Sequence, residues 1–428
     1  MSDDGVIVLG GGLAGLSTAF HFGRRCQVFE AEDVAGGLLR TREKEGYLFD
    51  YTGHLLHVRD RYAEDFIKGL LKGNLVRHTR RAAVFSKGTY TRYPFQANAY
   101  GLPEDVASEC VGGFEKARRE IGEKRPGSFG EWITANFGEG IARHFMLPYN
   151  RKLWRYPLED MAVEGVEPFV PVPTVEDARR GATEEGATGL GYNASFYYPE
   201  RGGIYSLVEA MLPHVRDLSL GQRAIEVDPE RKTVSFSTGY TAWYGSLVST
   251  MPLPELVGII KDVPADIAEA ARRLRYVSVY DVSLGIKKPD LTPWHWIYFP
   301  EPEFAFYRLG SMSSFSASAA PEGCTSVYAE ISHLPGETMP DDEAIARTLD
   351  GMRMCGLLGT DDVPEVADAQ DIKYAYAVFD AHSKRAVPAI TDFLSSKGIM
   401  SIGRYGAWEY SSMEGAILEG KRAAERLR

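Results

Sequence analysis

The chain has 428 residues and a formal net charge of -11, with hydrophobic and charged fractions of 44% and 25%. This composition is typical of a globular protein of two or three interleaved domains, and the negative charge argues against nucleic acid or an anionic membrane as the main partner. No stretch reaches the roughly 18 apolar residues of a membrane helix, and no basic and apolar leader begins the chain. We therefore expect a cytoplasmic protein, and the sequence gives no basis for predicting its oligomeric state.

The cysteines are too widely spaced for a zinc site or a disulfide framework, because no two of them form a C-x-x-C pair. We expect no metal site and a reducing compartment. The four cysteines are Cys26, Cys110, Cys324 and Cys355.

The first predicted elements form the start of a βαβ nucleotide-binding unit. A strand over residues 6–9 is followed by a glycine turn, a helix that begins near Leu13 and a second strand over residues 26–30. This order of strand, turn, helix and strand is typical of a parallel sheet with crossover helices.

The glycine turn matches G-x-G-x-x-G over residues 10–15. Gly10 permits the tight turn, Gly12 lets the backbone approach a pyrophosphate, and Gly15 allows close packing of helix on strand. Glu30 ends the second strand, where an acid binds ribose hydroxyls. The pattern predicts a dinucleotide site.

The rest of the chain alternates between helical and strand-rich regions. Residues 103–180 are predicted to be helical, residues 224–251 and 275–333 to form strands, and residues 399–402 to form a strand before a C-terminal helix. The Gly- and Thr-rich stretch 179–191 is the best candidate for a mobile loop.

These elements predict an α/β fold with a discontinuous Rossmann-type domain, an inserted helical region and an antiparallel β-sheet substrate domain. The Rossmann-type domain takes residues 1–85, 185–270 and 385–428. The helical region takes residues 86–184, and the antiparallel sheet takes residues 271–384.

Two further motifs favour FAD as the bound dinucleotide. Gly36-Gly37-Leu38-Leu39-Arg40-Thr41 resembles the second glycine motif of the FAD-dependent amine-oxidase and mutase superfamily, whose arginine contacts the cofactor. Gly403-Arg404 follows a strand and resembles the element that closes over the flavin in that superfamily.

Several segments resemble the UDP-galactopyranose mutases, especially the eukaryotic type. The most specific is His144 to Trp154, which is similar to F-M-x-P-Y-N-x-K-x-W in that family, and Arg92 to Gln96 contains its Y-P-F-Q segment. Phe49 to His54 resembles the loop that places a histidine beside the flavin's reactive nitrogen. The segments 296–308 and 403–410 resemble those that supply tyrosines and arginines to the substrate diphosphate.

The resemblance implies site residues at the matching positions. The implied catalytic residues are His54, Arg308 and Arg404. FAD contacts are implied for Gly10, Gly12, Leu13, Ala14, Gly15, Glu30, Gly37, Leu38, Arg40, Gly53, His54, Val227, Gly403, Arg404 and Met413. Substrate contacts are implied for Tyr93, Phe95, Gln96, Asn150, Trp154, Asn193, Trp296, Tyr298, Arg308 and Tyr410.

The chain departs from the family pattern in the part that binds the sugar diphosphate. Phe315 replaces a phosphate-contacting tyrosine, and residues 166–169 lack the second phosphate-binding arginine. Arg179 or Arg180 is the expected substitute for that arginine. A tyrosine expected near residue 378 is also absent, since Val378 and Phe379 stand there.

The resemblance implies a flavin-dependent mutase that interconverts pyranose and furanose forms of an NDP-sugar, either UDP-galactose-like or another NDP-hexose. In that family reduced FAD is the nucleophile at the anomeric carbon, and NADH or NADPH is the implied external reductant. The main alternative is an FAD-dependent oxidase of the amine oxidase or protoporphyrinogen oxidase type. A non-catalytic flavoprotein, in which FAD only stabilises the fold, is the third hypothesis.

Overall fold

The structure, a computed structural model, describes residues 5–23, 26–120, 122, 126–185, 190 and 194–428. The strands of this part are β1 (Val6–Leu9), β2 (Cys26–Phe29), β3 (Thr41–Lys44), β4 (Tyr47–Asp50), β5 (Val76–Thr79), β6 (Ala82–Ser86), β7 (Thr89–Arg92), β8 (Ser195–Tyr198), β9 (Asp217–Ser219), β10 (Ala224–Asp228), β11 (Thr233–Phe236), β12 (Thr241–Trp243), β13 (Ser246–Ser249), β14 (Tyr276–Ile286), β15 (Trp296–Tyr298), β16 (Arg308–Ser311), β17 (Thr325–His333), β18 (Pro364–Ala377) and β19 (Ile399–Ser401).

The α-helices of the same part are α1 (Leu13–Phe22), α2 (Arg61–Leu71), α3 (Glu104–Glu120), α4 (Phe129–Ile141), α5 (Leu147–Trp154), α6 (Val175–Thr183), α7 (Tyr205–Met211), α8 (Leu253–Ile259), α9 (Ala265–Arg272), α10 (Asp341–Met354), α11 (Ser383–Ser396), α12 (Gly403–Gly406) and α13 (Met413–Arg426).

A parallel sheet with the order β19-β13-β1-β2-β9 forms the predicted Rossmann-type unit. Its strands come from the beginning, the middle and the end of the chain. Every residue of β1 is buried, as expected for a central parallel strand covered on both faces. Helices α1 and α13 pack together, and the Ser17 hydroxyl of α1 donates to the carbonyl of Ile417 in α13 at 2.7 Å. The predicted α/β fold is confirmed.

The second large sheet has the order β18-β14-β17-β16-β15-β6-β7 and is antiparallel apart from the β6–β15 pair. The strands predicted over residues 275–333 supply its centre. The hairpin of β6 and β7, from residues 82–92, extends the sheet at one edge. The segment that follows β7 therefore lies next to β15, where the rings of Tyr93 and Tyr298 are in contact.

Strand register aligns a row of polar side chains across the second sheet. Asp281 of β14 lies opposite Glu330 of β17, which lies opposite Arg308 of β16, which lies opposite Tyr298 of β15. Residues directly opposite each other share one face of a sheet. Residues far apart in sequence therefore meet on this face.

The region of residues 103–180 is helical as predicted, with α3, α4, α5 and α6. The predicted loop at residues 179–191 is wrong for its first part, because α6 continues to Thr183. Thr174 and Asp177 form a capping box that stabilises the start of α6. The rest of that segment at residues 186–189 and 191 lies outside the described residues.

The described residues contain no helix long and apolar enough to cross a membrane. Within the same residues no group of three His, Cys, Asp or Glu side chains is arranged to hold a metal ion. All four cysteines are free thiols.

Candidate functional site

A cavity of about 1120 Å³ lies between the parallel sheet, the second sheet and α5. Pockets for one small ligand usually measure about 300–1000 Å³, so this cavity is large enough for a ligand of dinucleotide size. The predicted site residues that line it are Gly10, Gly12, Leu13, Ala14, Glu30, Gly37, Leu38, Gly53, His54, Tyr93, Gln96, Asn150, Trp154, Trp296, Tyr298, Arg308, Gly403, Arg404, Tyr410 and Met413.

Four predicted contact residues, Gly15, Arg40, Phe95 and Val227, do not line the cavity. Gly15 packs beneath the glycine turn, and Phe95 is buried against Phe145 with ring centroids 4.9 Å apart. Arg40 donates from Nη2 to the carbonyl of Val34 at 2.7 Å. A fifth predicted residue, Asn193, lies outside the described residues.

Val227 is the fourth of these residues, and it is fully buried in β10. Its carbonyl accepts the N–H of Lys261 at 2.9 Å. The segment just before it, residues 222–225, lines the cavity in its place. The sequence predicts where strand β10 lies. Which of its residues faces the cavity depends on how the neighbouring elements pack against it.

The two glycine motifs lie side by side and form a cradle that fits a dinucleotide. Gly12 pairs with Gly36 in a parallel bridge, and a Cβ on Gly12 would lie 3.8 Å from the Cα of Gly37. The Glu30 carboxylate accepts the N–H of Gly11 at 2.6 Å. Backbone N–H groups at the start of α1 favour a pyrophosphate, and a carboxylate has lone pairs to spare for ribose hydroxyls.

His54 lies in the cavity wall after an unusual turn. Thr52 has a φ of 64°, a left-handed conformation that is rare for a β-branched residue and recurs at functional sites. Burial, together with the nearby positive charge of Arg404, lowers the pKa of His54 to about 4. The His54 imidazole is therefore neutral at neutral pH.

Arg308 is held by a two-pronged ion pair with the buried Glu330. Its Nε lies 3.0 Å from Oε1, and its Nη2 lies 2.6 Å from Oε1 and 2.8 Å from Oε2. The Tyr307 hydroxyl also donates to this carboxylate. This geometry fixes the guanidinium plane, and Nη1 of Arg308 makes no hydrogen bond within the described residues.

A second acid lies beside this pair. Asp281, opposite Glu330, is fully buried, and its Oδ2 lies 3.8 Å from Nη2 of Arg42. Burial, together with the negative charge of Glu330, raises the pKa of Asp281 to about 8. The carboxyl is therefore largely protonated at neutral pH, which limits the negative charge around Arg308.

Arg404 has a different environment, because it has no carboxylate partner among the described residues and its guanidinium donates to two carbonyl oxygens. Nη1 donates to Ser411 at 2.8 Å and Nη2 to Ala375 at 3.4 Å. The ring centroids of Tyr376, Tyr405 and Tyr410 lie 5.5, 5.8 and 4.6 Å from its Cζ atom. A cation in a cavity wall without a carboxylate partner attracts an anionic ligand.

Aromatic side chains form the wall opposite the glycine cradle. The Tyr93 and Tyr298 rings lie 4.7 Å apart, and the Tyr298 and Tyr149 rings lie 5.3 Å apart. Trp154 packs edge-on against Tyr376 with ring centroids 5.7 Å apart. Such a wall offers flat apolar faces on which a base or sugar can pack.

Some lining residues were missed by the sequence analysis. Tyr376 is the clearest example, since its hydroxyl lies 3.3 Å from that of Tyr307 and its ring lies beside Arg404. A tyrosine was expected near residue 378, two positions further along. Tyr149 stands inside the P-Y-N motif and was detectable, whereas only strand register reveals Glu330 and Tyr328. The missed lining residues that lie around the two arginines include Tyr149, Tyr307, Tyr328, Glu330 and Tyr376.

The expected substitutes for the missing phosphate contacts do not reach the cavity. Arg179 pairs with Glu115 at 2.6 Å, and Arg180 pairs with Asp177 at 3.0 Å, both on the surface. Phe315 is buried, with its ring centroid 5.4 Å from that of Tyr198. The expectation that Arg179 or Arg180 supplies the cation is wrong in this structure, because neither side chain lines the cavity.

Comparisons with known proteins agree with this geometry. Residues 13–428 match the family described as flavin containing amine oxidoreductase. A solved structure of reduced UDP-galactopyranose mutase is 28% identical, with a TM-score of 0.94 over 100% of this chain and 94% of that chain.

More distant proteins share the fold alone. Coproporphyrinogen III oxidase of Bacillus subtilis (strain 168) is 20% identical over 376 residues, which cover 78% of this chain and 79% of that protein. A CLA-producing fatty acid isomerase from P. acnes has a TM-score of 0.69 and 13% identity over 100% of this chain and 99% of that chain. The proteins similar to this chain thus include an oxidase among the sequence matches and a mutase among the solved structures.

Proposed function

This chain belongs to the flavin-containing amine oxidoreductases, in a UDP-galactopyranose mutase-like family, and we propose that it is a nucleotide-sugar mutase. It interconverts the pyranose and furanose forms of an NDP-hexose, of which UDP-galactose is the first candidate. The cofactor is FAD in its reduced form, with NADH or NADPH as external reductant. When bound and reduced, the flavin supplies the nucleophile at the anomeric carbon.

The observation that carries this proposal is that two arginines, Arg308 and Arg404, line the same cavity. Arg404 has no carboxylate partner within the described residues, and Nη1 of Arg308 takes no part in the ion pair with Glu330. Two guanidinium groups beside tyrosine hydroxyls suit a diphosphate leaving group, whose negative charge increases as the anomeric bond breaks. A cationic amine substrate would be repelled there.

The other residues of the cavity bind and orient the substrate. Glu330 holds the Arg308 guanidinium in one plane, so that little reorganisation is needed when the diphosphate binds. Tyr93 and Trp154 supply faces for the nucleoside. His54, neutral at neutral pH, contributes a dipole and no charge beside the reacting sugar.

The test is an anaerobic assay of the purified protein, reduced with dithionite, against a panel of UDP- and GDP-hexoses. We expect chromatography to show a new furanose product that forms only with reduced flavin. The oxidised protein is the control. No conversion of any nucleotide sugar, together with peroxide release from a porphyrinogen or amine substrate in air, would support the oxidase alternative and contradict the mutase.

The orientation of the Gln96 amide leads to a prediction about the base. Its Nε2 donates to the carbonyl of Pro171 at 2.5 Å, whereas its buried Oε1 has no partner among the described residues. The amide therefore offers an acceptor, which suits the N3–H of uracil and opposes the N3 lone pair of cytosine. We expect UDP to bind more tightly than CDP by about 10- to 100-fold, measured by calorimetry.

The matched variant is Gln96→Leu, which removes the acceptor and keeps the bulk of the side chain. We expect this variant to bind UDP and CDP with similar, weak affinities. Equal affinities for the two nucleotides in the unaltered protein would contradict a uracil-reading role for Gln96.

A further inference from the structure

A lysine outside the cavity connects the structural elements that form the aromatic wall. Nζ of Lys152, on α5, donates hydrogen bonds to the carbonyl oxygens of Phe299 and Glu301, both at 2.9 Å. These carbonyls immediately follow β15, the strand that carries Trp296 and Tyr298. Lys152 thus ties α5 to the end of β15.

The connection continues from Glu301 to the hairpin of β6 and β7. Oε1 of Glu301 accepts a hydrogen bond from the Ser86 hydroxyl at 2.7 Å and from the N–H of Lys87 at 3.0 Å. The chain leaves this hairpin directly into Tyr93 and Gln96, which line the cavity. One polar cluster, Lys152 with Glu301, therefore joins the three segments that supply the nucleotide end of the site.

We propose that Lys152 is a positioning residue that sets the spacing between α5 and β15, and thereby the fit of the nucleotide. This inference rests on the proposed function. Asn150 and Trp154 lie two residues to either side of Lys152 on α5, so a shift of the helix moves both. Lys152 itself does not line the cavity, so any effect on a ligand there acts through other residues.

The chemistry of the group supports a role in alignment. Burial lowers the pKa of Lys152 to about 7, against the opposing influence of Glu301 and Glu303. A buried ammonium is costly, and a methionine of similar length would fill the same space without that cost. What the lysine adds is a pair of directed donors, which hold two backbone carbonyls at fixed positions.

The test is Lys152→Met, with UDP binding measured by calorimetry and turnover measured with the sugar identified in the panel assay. We expect UDP affinity to fall by about 10- to 100-fold, with KM raised accordingly and kcat nearly unchanged, because binding is lost equally in ground and transition states. FAD content should stay the same. The matched control is Lys68→Met, which removes a surface lysine paired with Glu64.

Lys152→Gln is the second variant, because a buried amide keeps two donors with a shorter reach and is less disruptive to folding. We expect a smaller rise in KM than in the methionine variant. Unchanged UDP affinity in Lys152→Met, when folded and loaded with FAD, would overturn the role of Lys152 alone. Failure of the unaltered protein to bind UDP would instead overturn the proposed function, and this inference with it.

Discussion

The double variant Arg308→Met/Glu330→Gln should lose nucleotide-sugar turnover and keep its flavin. Arg308 is the cation that we expect to hold the diphosphate, and it lies on β16, outside the two glycine motifs that form the cradle. Removing one pre-positioned donor for a charge that develops in the transition state typically costs about 100- to 1000-fold. We expect kcat/KM to fall by that factor, with the flavin absorbance per polypeptide unchanged.

Both residues have to change together because they are buried as a pair. Arg308→Met alone would leave the Glu330 carboxylate without its ion-pair partner, which destabilises a protein by about 3–5 kcal/mol. Glu330→Gln alone is the first control and should keep the nucleotide bound, since Arg308 remains. Arg179→Met, on the surface, is the second control. Normal kcat/KM in the folded double variant would refute the assignment of Arg308.

Gly15→Ala should weaken FAD binding without disrupting the rest of the fold. A Cβ at this position would collide with the carbonyl oxygen of Gly10 and would lie 3.2 Å from Cγ1 of Val8. Helix α1 would have to move away from β1, and overpacking of this kind costs about 1–3 kcal/mol. We expect FAD affinity to fall by about 5- to 150-fold, measured by fluorescence titration of the apoprotein.

The matched control is Gly112→Ala in α3, where an added Cβ meets no atom within 4 Å. Alanine is the better helix former by about 0.5–1 kcal/mol, so this variant should be slightly more stable and fully loaded with FAD. If Gly15→Ala also retained full FAD affinity, the close packing of α1 on β1 would not be required for the cofactor.

The parts of the site that depend on a short local pattern could be predicted from the sequence. The glycine turn at residues 10–15 and Glu30 follow from strand, turn, helix and strand in direct succession. All of these residues except Gly11 and Gly15 line the cavity. The Y-P-F-Q and P-Y-N-x-K-x-W segments likewise place Gln96, Asn150 and Trp154 there. In these segments, residues that are close in sequence line the same cavity, so the short motif alone is enough to predict their location.

Predictions failed where a residue's role depends on its neighbours in space. Arg179 was expected to supply a phosphate-binding cation, but the capped helix α6 directs it to Glu115 on the surface. Val227 is buried in β10 and residues 222–225 line the cavity, so its expected contact with the cofactor stays a prediction. The assignments of the remaining site residues, like the domain boundaries, stay predictions that binding and activity measurements will test.

The sequence by itself determined the fold class, the family and the dinucleotide cradle, because glycines at fixed spacing and apolar strands specify backbone geometry locally. Only the tertiary structure decided the charge balance of the site. Arg308 meets Glu330, and Glu330 meets Asp281, solely because β14, β16 and β17 align in one register. The pKa of a buried group depends on desolvation and on charges brought close by folding, and neither is written in the order of residues.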